Sequence, residues 1–161
     1  MAVTVAIETP LQDDVRRLVA ALNDHLLPLS PVEFQFKMTV DQMAGLDTTV
    51  LVARDENGKA IGCGALKVHT DALGEVKRMF TDPAVRGQRV GTTLLQAIVA
   101  LAREKDVSQL MLETGVGPGF EGAHRLYTRY GFTPRGAFLD YPESQWSAFY
   151  EITLVTPVGV A

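Results

Sequence analysis

The segment Arg86-Gly87-Gln88-Arg89-Val90-Gly91-Thr92 combines two guanidinium groups, two glycines and a threonine hydroxyl. It lies between a β-rich run, Glu75 to Thr81, and a stretch where Val90, Leu94, Ile98 and Leu101 recur at helical spacing, so it reads as a strand–loop–helix junction. A helix start at about Gly91 presents unpaired N–H groups and the positive end of the helix dipole, and both favour a phosphate. Arg86 and Arg89 add cations suited to bidentate phosphate contact. Gly87 and Gly91 let the backbone approach a ligand, and Thr92 adds a donor. The same residues also describe a plain solvated turn, because turns use glycine for conformational reasons alone. Two other phosphate motifs are excluded. Gly87 and Gly91 are wrongly spaced for a P-loop and no Lys follows Gly91, and no G-x-G-x-x-G dinucleotide fingerprint is present.

Other reactive side chains offer less. Cys63 is the only cysteine; it sits in a Gly62-Cys63-Gly64 strand segment with no His or Asp constellation beside it, so a buried inert thiol is expected. One cysteine also excludes an intramolecular disulfide and a thiolate metal cluster. His25, His69 and His124 lack metal-ligand spacing, and no metal is expected.

The elements that must position the loop follow from pattern. Val3, Val5 and Ile7 alternate as a short strand. Thr9-Pro10-Leu11-Gln12 reads as a helix start with Thr9 as cap and Gln12 closing a capping box, followed by Val15, Leu18, Val19, Leu22 and Leu26 on one helical face. Pro28 and Pro31 end that helix, and Leu29 to Met43 is mixed, with a short helix before Gly45. Thr48–Ala53 and Ala60–His69 flank Asp55-Glu56-Asn57-Gly58 as a hairpin. The strand Glu75–Thr81 follows a turn at Asp71 to Gly74. Gln109–Thr114 is a strand, Glu121–Tyr130 a helix and Trp146–Val155 a last strand. This order predicts one α/β domain over residues 1–161: a mixed, mostly antiparallel sheet with helices on both faces.

The chain has 161 residues and a formal net charge of -4, which is ample for one core and supplies no global basic field for nucleic acid. Met1 to Glu8 lacks the pattern of a signal peptide, and no apolar run approaches the roughly 18 residues of a spanning helix. A soluble, cytoplasmic protein without membrane or nucleic-acid partners is expected.

Val85 to Leu95, placed after a strand and Asp82-Pro83, resembles the acetyl-CoA motif [RQ]-x-x-G-x-[GA] of the GNAT superfamily, with Arg86 first and Gly91 last. It departs from that motif at Arg89, where glycine is usual. Ala123-His124-Arg125-Leu126-Tyr127-Thr128-Arg129-Tyr130-Gly131-Phe132 is similar to the family's A-x-x-L-Y-x-x-x-G-F; Phe120 stands where an Asn is common, so no Asn role is carried over. Together the two motifs cover Glu75 to Phe132. Gly62 to Leu66, Glu75 to Met79 and Leu112 to Gly115 resemble one small bacterial branch of the superfamily. The resemblance implies an N-acetyltransferase that moves an acetyl group from acetyl-CoA directly to an amine, with Arg86 to Thr92 on the pyrophosphate and the backbone of Met79, Phe80 and Thr81 along the pantetheine arm. It also implies Tyr127 as general acid for the departing thiolate, since a phenol holds its proton at neutral pH; on spacing alone Tyr127 reads as a core tyrosine. Glu75 is the implied general base, against the plainer reading of a strand-end glutamate paired with Lys77 or Arg78, and Glu113 is the second candidate. Tyr141, Trp146, Phe149 and Tyr150 could wall an acceptor pocket or simply fill the core. A non-catalytic CoA- or nucleotide-binding sensor is the alternative from another class, and a structural or partner-binding domain is a third. Family members are often dimers, so a homodimer is left open, and the acceptor is unidentified.

Overall fold

A computed structural model describes residues 2–70 and 72–154. Among these residues, seven strands form one sheet in the order β1-β2-β3-β4-β5-β7-β6. They are β1 (Thr4–Ile7), β2 (Thr48–Arg54), β3 (Ala60–Val68), β4 (Leu73–Thr81), β5 (Gln109–Gly115), β6 (Thr133–Arg135) and β7 (Ser147–Thr153). Four α-helices accompany them: α1 (Asp13–Leu26), α2 (Val40–Met43), α3 (Val90–Glu104) and α4 (Glu121–Tyr130). Every strand pair is antiparallel except β4–β5.

Central strands buried on both faces alternate between two cores. Val50 and Val52 of β2 pack with Val15, Leu18, Val19 and Leu22 of α1 and Met43 of α2. Leu51 and Ala53 pack with Leu94, Leu95, Ile98 and Val99 of α3 on the opposite face, which α4 joins through Tyr127. The period of two in β2 thus sends successive side chains to opposite helical layers.

Two features of β4 shape the molecule around the loop. Its parallel pairing with β5 covers only Leu73–Glu75 against Gln109–Met111, although β4 runs on to Thr81 and β5 to Gly115. The strands splay apart beyond Glu75, which leaves β4 backbone groups on that edge without a strand partner. The second feature is a β-bulge. Cys63 pairs with Phe80 and Ala65 with Lys77, so Gly64 opposes both Arg78 and Met79, and Arg78 has φ of 57°. The extra residue inverts the alternation: Val76 and Met79 belong to the α3-side core, while Phe80 lies in the α1-side core.

The structure corrects several boundaries. The box expected at Thr9 does not form; α1 starts at Asp13 with Gln12 as an uncapped N-cap, and Gln12 Nε2 instead donates to the Thr9 carbonyl and to Glu8. A complete capping box occurs at Thr39 and Gln42 of α2. Gly74 of the expected turn is already in β4, and Asp71 lies outside the described residues, as does Val155 of the last strand. The three-residue strand β6 carries Pro134 and had too little alternation to be read in advance.

Candidate active site

The loop between β4 and α3 begins with a 3-10 turn at Pro83–Val85, capped by the Asp82 side chain. Gly87 takes φ of 84° with open space around it, a conformation that disfavours other residues. Arg89 is the N-cap of α3 and itself lies in the left-handed region, with φ of 65°. Arginine therefore holds a conformation for which glycine is the unstrained choice, where the related motif has glycine. The helix starts at Val90, one residue earlier than expected. Its first intrahelical bond runs from Thr93 N to the Arg89 carbonyl at 3.0 Å, so the N–H groups of Val90, Gly91 and Thr92 have no intrahelical acceptor.

These groups border a cleft of about 1050 Å³ that extends along the splay between β4 and β5. Of the ten residues expected at the cofactor, Met79, Phe80, Thr81, Arg86, Gly87, Arg89, Val90, Gly91 and Thr92 line it. Gln88 does not; its side chain is exposed on the loop. Arg125 and Arg129 of α4, which were not singled out in the sequence, add two further cations to the lining. Four arginines beside unpaired helical N–H groups form a surface suited to a polyphosphate.

Tyr127 and both candidate carboxylates line the same cleft. Tyr127 is 6% exposed and packs edge-on to Phe132 at 5.8 Å, yet its hydroxyl makes no hydrogen bond among the described residues. Burial, and then the charge of Glu113, pushes the phenol well above its ordinary pKa. The core-tyrosine reading holds for the ring but leaves the hydroxyl without the partner a buried phenol usually finds.

Glu75 is 2% exposed, so it is not the solvated strand-end residue of the plainer reading. Its Oε1 contacts His69 Nε2 at 2.8 Å. Its Oε2 accepts from Tyr141 Oη at 2.5 Å and from Lys77 Nζ at 3.3 Å, and Lys77 Nζ also donates to Tyr141 Oη at 2.8 Å. The pairing with Lys77 is real, whereas Arg78 is turned away to Asn23 of α1. Glu113 Oε2 accepts from Ser147 Oγ at 2.8 Å, and its Oε1 has no partner among the described residues. Desolvation raises the Glu113 carboxyl, opposed by the Ser147 hydrogen bond and the Lys77 charge. Cys63 is fully buried and its thiol is pushed up to about 12 by burial, as expected of an inert side chain.

Of the C-terminal aromatics, Tyr141 joins the Glu75 cluster and stacks edge-on with Phe36 at 5.2 Å. Phe149 packs with Met111 and Phe138 in a third small core. Tyr150 belongs to the α3-side core, with its hydroxyl 3.3 Å from His124 Nδ1. Sequence reading named Lys77 as a partner of Glu75, through the spacing Glu75-x-Lys77 on one strand face, but missed His69 and Tyr141. No helix among the described residues is long and apolar enough to cross a membrane, and no cluster of three or more His, Cys, Asp or Glu side chains suited to a metal occurs among them.

The profile of the acetyltransferase (GNAT) domain matches residues 47–134. The chain is 41% identical to the IAA acetyltransferase of Azospirillum brasilense over 150 residues, 92% of this chain and 96% of that one. A crystal structure from Klebsiella pneumoniae assigned as an acyl-CoA N-acyltransferase superposes with a TM-score of 0.79 at 33% identity, covering 95% of this chain and 98% of that one. A GNAT-family acetyltransferase from Elizabethkingia anophelis, solved with acetyl-CoA bound, shares the fold with a TM-score of 0.67 at 20% identity, over 94% and 98% of the two chains. The chain belongs to the GNAT acetyltransferase family and transfers an acyl group from acetyl-CoA to an amine.

Proposed function

We propose that the splay between β4 and β5 is where acetyl-CoA meets the amine, with the chemistry carried by Tyr127 and the Glu113–Glu75 pair in a direct transfer without an acyl-enzyme. The observation that carries this reading is Tyr127, which lines the cleft with a hydroxyl that has no hydrogen-bond partner among the described residues, beside a β4 edge unpaired with β5 beyond Glu75. Arg86, Arg89 and the free N–H groups of α3 hold the pyrophosphate, with Gly87, Gly91 and Thr92 completing the cradle and Gln88 contributing backbone at most. The open edge of β4 at Met79, Phe80 and Thr81 offers groups that pair with an amide-bearing arm as an added strand would. A backbone N–H there polarises the thioester carbonyl.

The thioester supplies the acyl group and a thiolate as leaving group. Tyr127 is suited to protonate that sulfur: an un-ionised phenol carries its proton at neutral pH and donates it as the C–S bond breaks. An amine attacks only after losing its proton. Glu113 has a free oxygen and a carboxyl raised by burial, which makes it the better acceptor of that proton. Glu75, with both oxygens engaged, positions Lys77 and Tyr141 and is the second candidate for base. Relatives bear transferase names, so the sensor alternative has no observation in its favour. The same reading takes residues 1–161 as one cytoplasmic domain, and light scattering decides between monomer and homodimer.

Tyr127→Phe removes the proton and little else. Steady-state assays of CoA release should show kcat reduced by about 10²-fold or more, while calorimetry shows acetyl-CoA binding as in the parent. An unchanged kcat would remove Tyr127 from the chemistry.

A further inference from the structure

Two buried polar atoms at the α1 end of the cleft have no partner among the described residues, and they are of opposite type. Arg78 is 8% exposed, donates from Nη2 to Asn23 Oδ1, and leaves its Nε buried without an acceptor. No carboxylate among the described residues lies within ion-pairing distance of it, although a guanidinium carries five donors and a full charge. Gln35 is the counterpart. Its Nε2 donates to the carbonyls of Leu26, Leu27 and Ser30 at 3.1, 3.1 and 2.6 Å. Three acceptors around the nitrogen fix the amide orientation, and Oε1 is left buried and unsatisfied. Arg78 and Gln35 both line the cleft.

The bulge makes Arg78 available. Regular alternation would send Arg78 with Val76 into the apolar core beneath α3; the inverted register sends it to the α1 side, the face that carries Glu75 and Lys77. That arrangement holds a non-glycine residue at φ of 57°, a conformation that L side chains rarely adopt. Its carbonyl accepts the only thiol of the chain, Cys63 Sγ, at 3.5 Å. A strained backbone that buries an unpaired cation in a cleft is an arrangement a core alone would not keep.

We propose that Arg78 recognises a carboxylate on the acceptor, and that the acceptor is therefore a small amine bearing a carboxylate, such as an amino acid. This rests on the proposed function, since it takes the cleft beyond the thioester as the acceptor site. A guanidinium fork matches the two oxygens of a carboxylate. Glu113, which lines the same cleft with Oε1 unpartnered among the described residues, attracts the ammonium end of the same molecule. The cleft thus presents a cation and an anion to the two ends of a zwitterion.

The test compares free amino acids, including ω-amino acids, with their carboxamides as acceptors for the wild-type enzyme, with CoA release as readout. The acids should be used with kcat/KM about tenfold or more above their amides, most of the difference in KM. In Arg78→Met this ratio should collapse toward one; Arg78→Lys should restore part of it. Calorimetry with acetyl-CoA and a thermal melt accompany each variant, and the wild-type comparison stands even if Arg78→Met does not fold. Equal use of acids and amides, a ratio unchanged in Arg78→Met, or turnover confined to a lysine-bearing peptide with blocked termini would overturn the inference. So would an enzyme that binds acetyl-CoA but uses no carboxylate-bearing amine. Failure to bind acetyl-CoA at all would sink the proposed function beneath it, a separate result.

Discussion

The two ends of the cleft are built on different principles. The proposed cofactor end is mostly local: a short loop and the first turn of α3 within Arg86 to Thr92, joined by the adjacent end of β4 and by Arg125 and Arg129 of α4. The proposed acceptor end is assembled from afar. Glu75 meets Tyr141, 66 residues on, Arg78 reaches back to Asn23 across 55, and Glu113 binds Ser147 across 34. Side chains rather than backbone set its chemistry, and they are buried or half-buried. A site that grips a constant ligand by backbone survives as a readable motif, whereas a site that chooses among acceptors is dispersed over the chain.

Changes at the two ends should therefore separate. The largest effect is expected at the acceptor end. Glu113→Gln should lower kcat by about 10²-fold with acetyl-CoA affinity preserved. A base works deprotonated, so wild-type kcat/KM should rise with pH through the Glu113 pKa. Desolvation places that limb above the ordinary carboxylate range, and a pH–rate profile of the variant should lack it. If Glu75→Gln removes the limb instead, the two carboxylates exchange roles.

A packing change should affect the joint between the ends. A Cβ on Gly115 would collide with the Phe120 ring, and the Gly115 carbonyl sits 2.7 Å from His124 Nε2 in the first turn of α4. Gly115→Val must push that ring out of place, and urea denaturation should show about 1–3 kcal/mol of lost stability.

The cofactor end should answer in affinity rather than rate. Arg86→Ala removes one charge-assisted contact, and titration should show acetyl-CoA binding weakened about tenfold, less so as salt rises.

The smallest effect lies away from both. Arg54 pairs with Glu8 at 2.7 Å and Asp14 at 2.6 Å, and its hydrogen bonds hold both carboxyls below their ordinary values. Carboxyls depressed in the folded state add stability above their unfolded pKa and lose it as pH falls through the folded one. Arg54→Met should therefore cost less than about 1 kcal/mol near neutrality, and the gap from wild type should close below the ordinary carboxylate range.

The same contrast explains what the sequence disclosed. Helical spacing at Val90, Leu94 and Ile98 and the β-rich run Thr48–Ala53 carried the fold, because each is a pattern held within one element. The loop was legible because the residues it brings to the cleft are nearly consecutive. The bulge at Arg78 was not: nothing in Lys77-Arg78-Met79 announces a positive φ, which arises from the pairing with β3. The ion cluster at Glu75 was half legible, through Lys77 two residues on, and Tyr141 could only be grouped with other aromatics. The capping box was misplaced to Thr9 because Thr39 and Gln42 lie in a stretch with little periodicity.

The central claim is that grip on acetyl-CoA and chemistry on it are separable, and one crossed measurement addresses it. Acetyl-CoA affinity by calorimetry and the single-turnover rate at saturating cofactor would be taken on Tyr127→Phe and Arg86→Ala side by side. The account predicts wild-type affinity with a rate lowered about 10²-fold or more for Tyr127→Phe, and weakened affinity with a near-wild-type saturated rate for Arg86→Ala. Loss of affinity in Tyr127→Phe, or of saturated rate in Arg86→Ala, would contradict it.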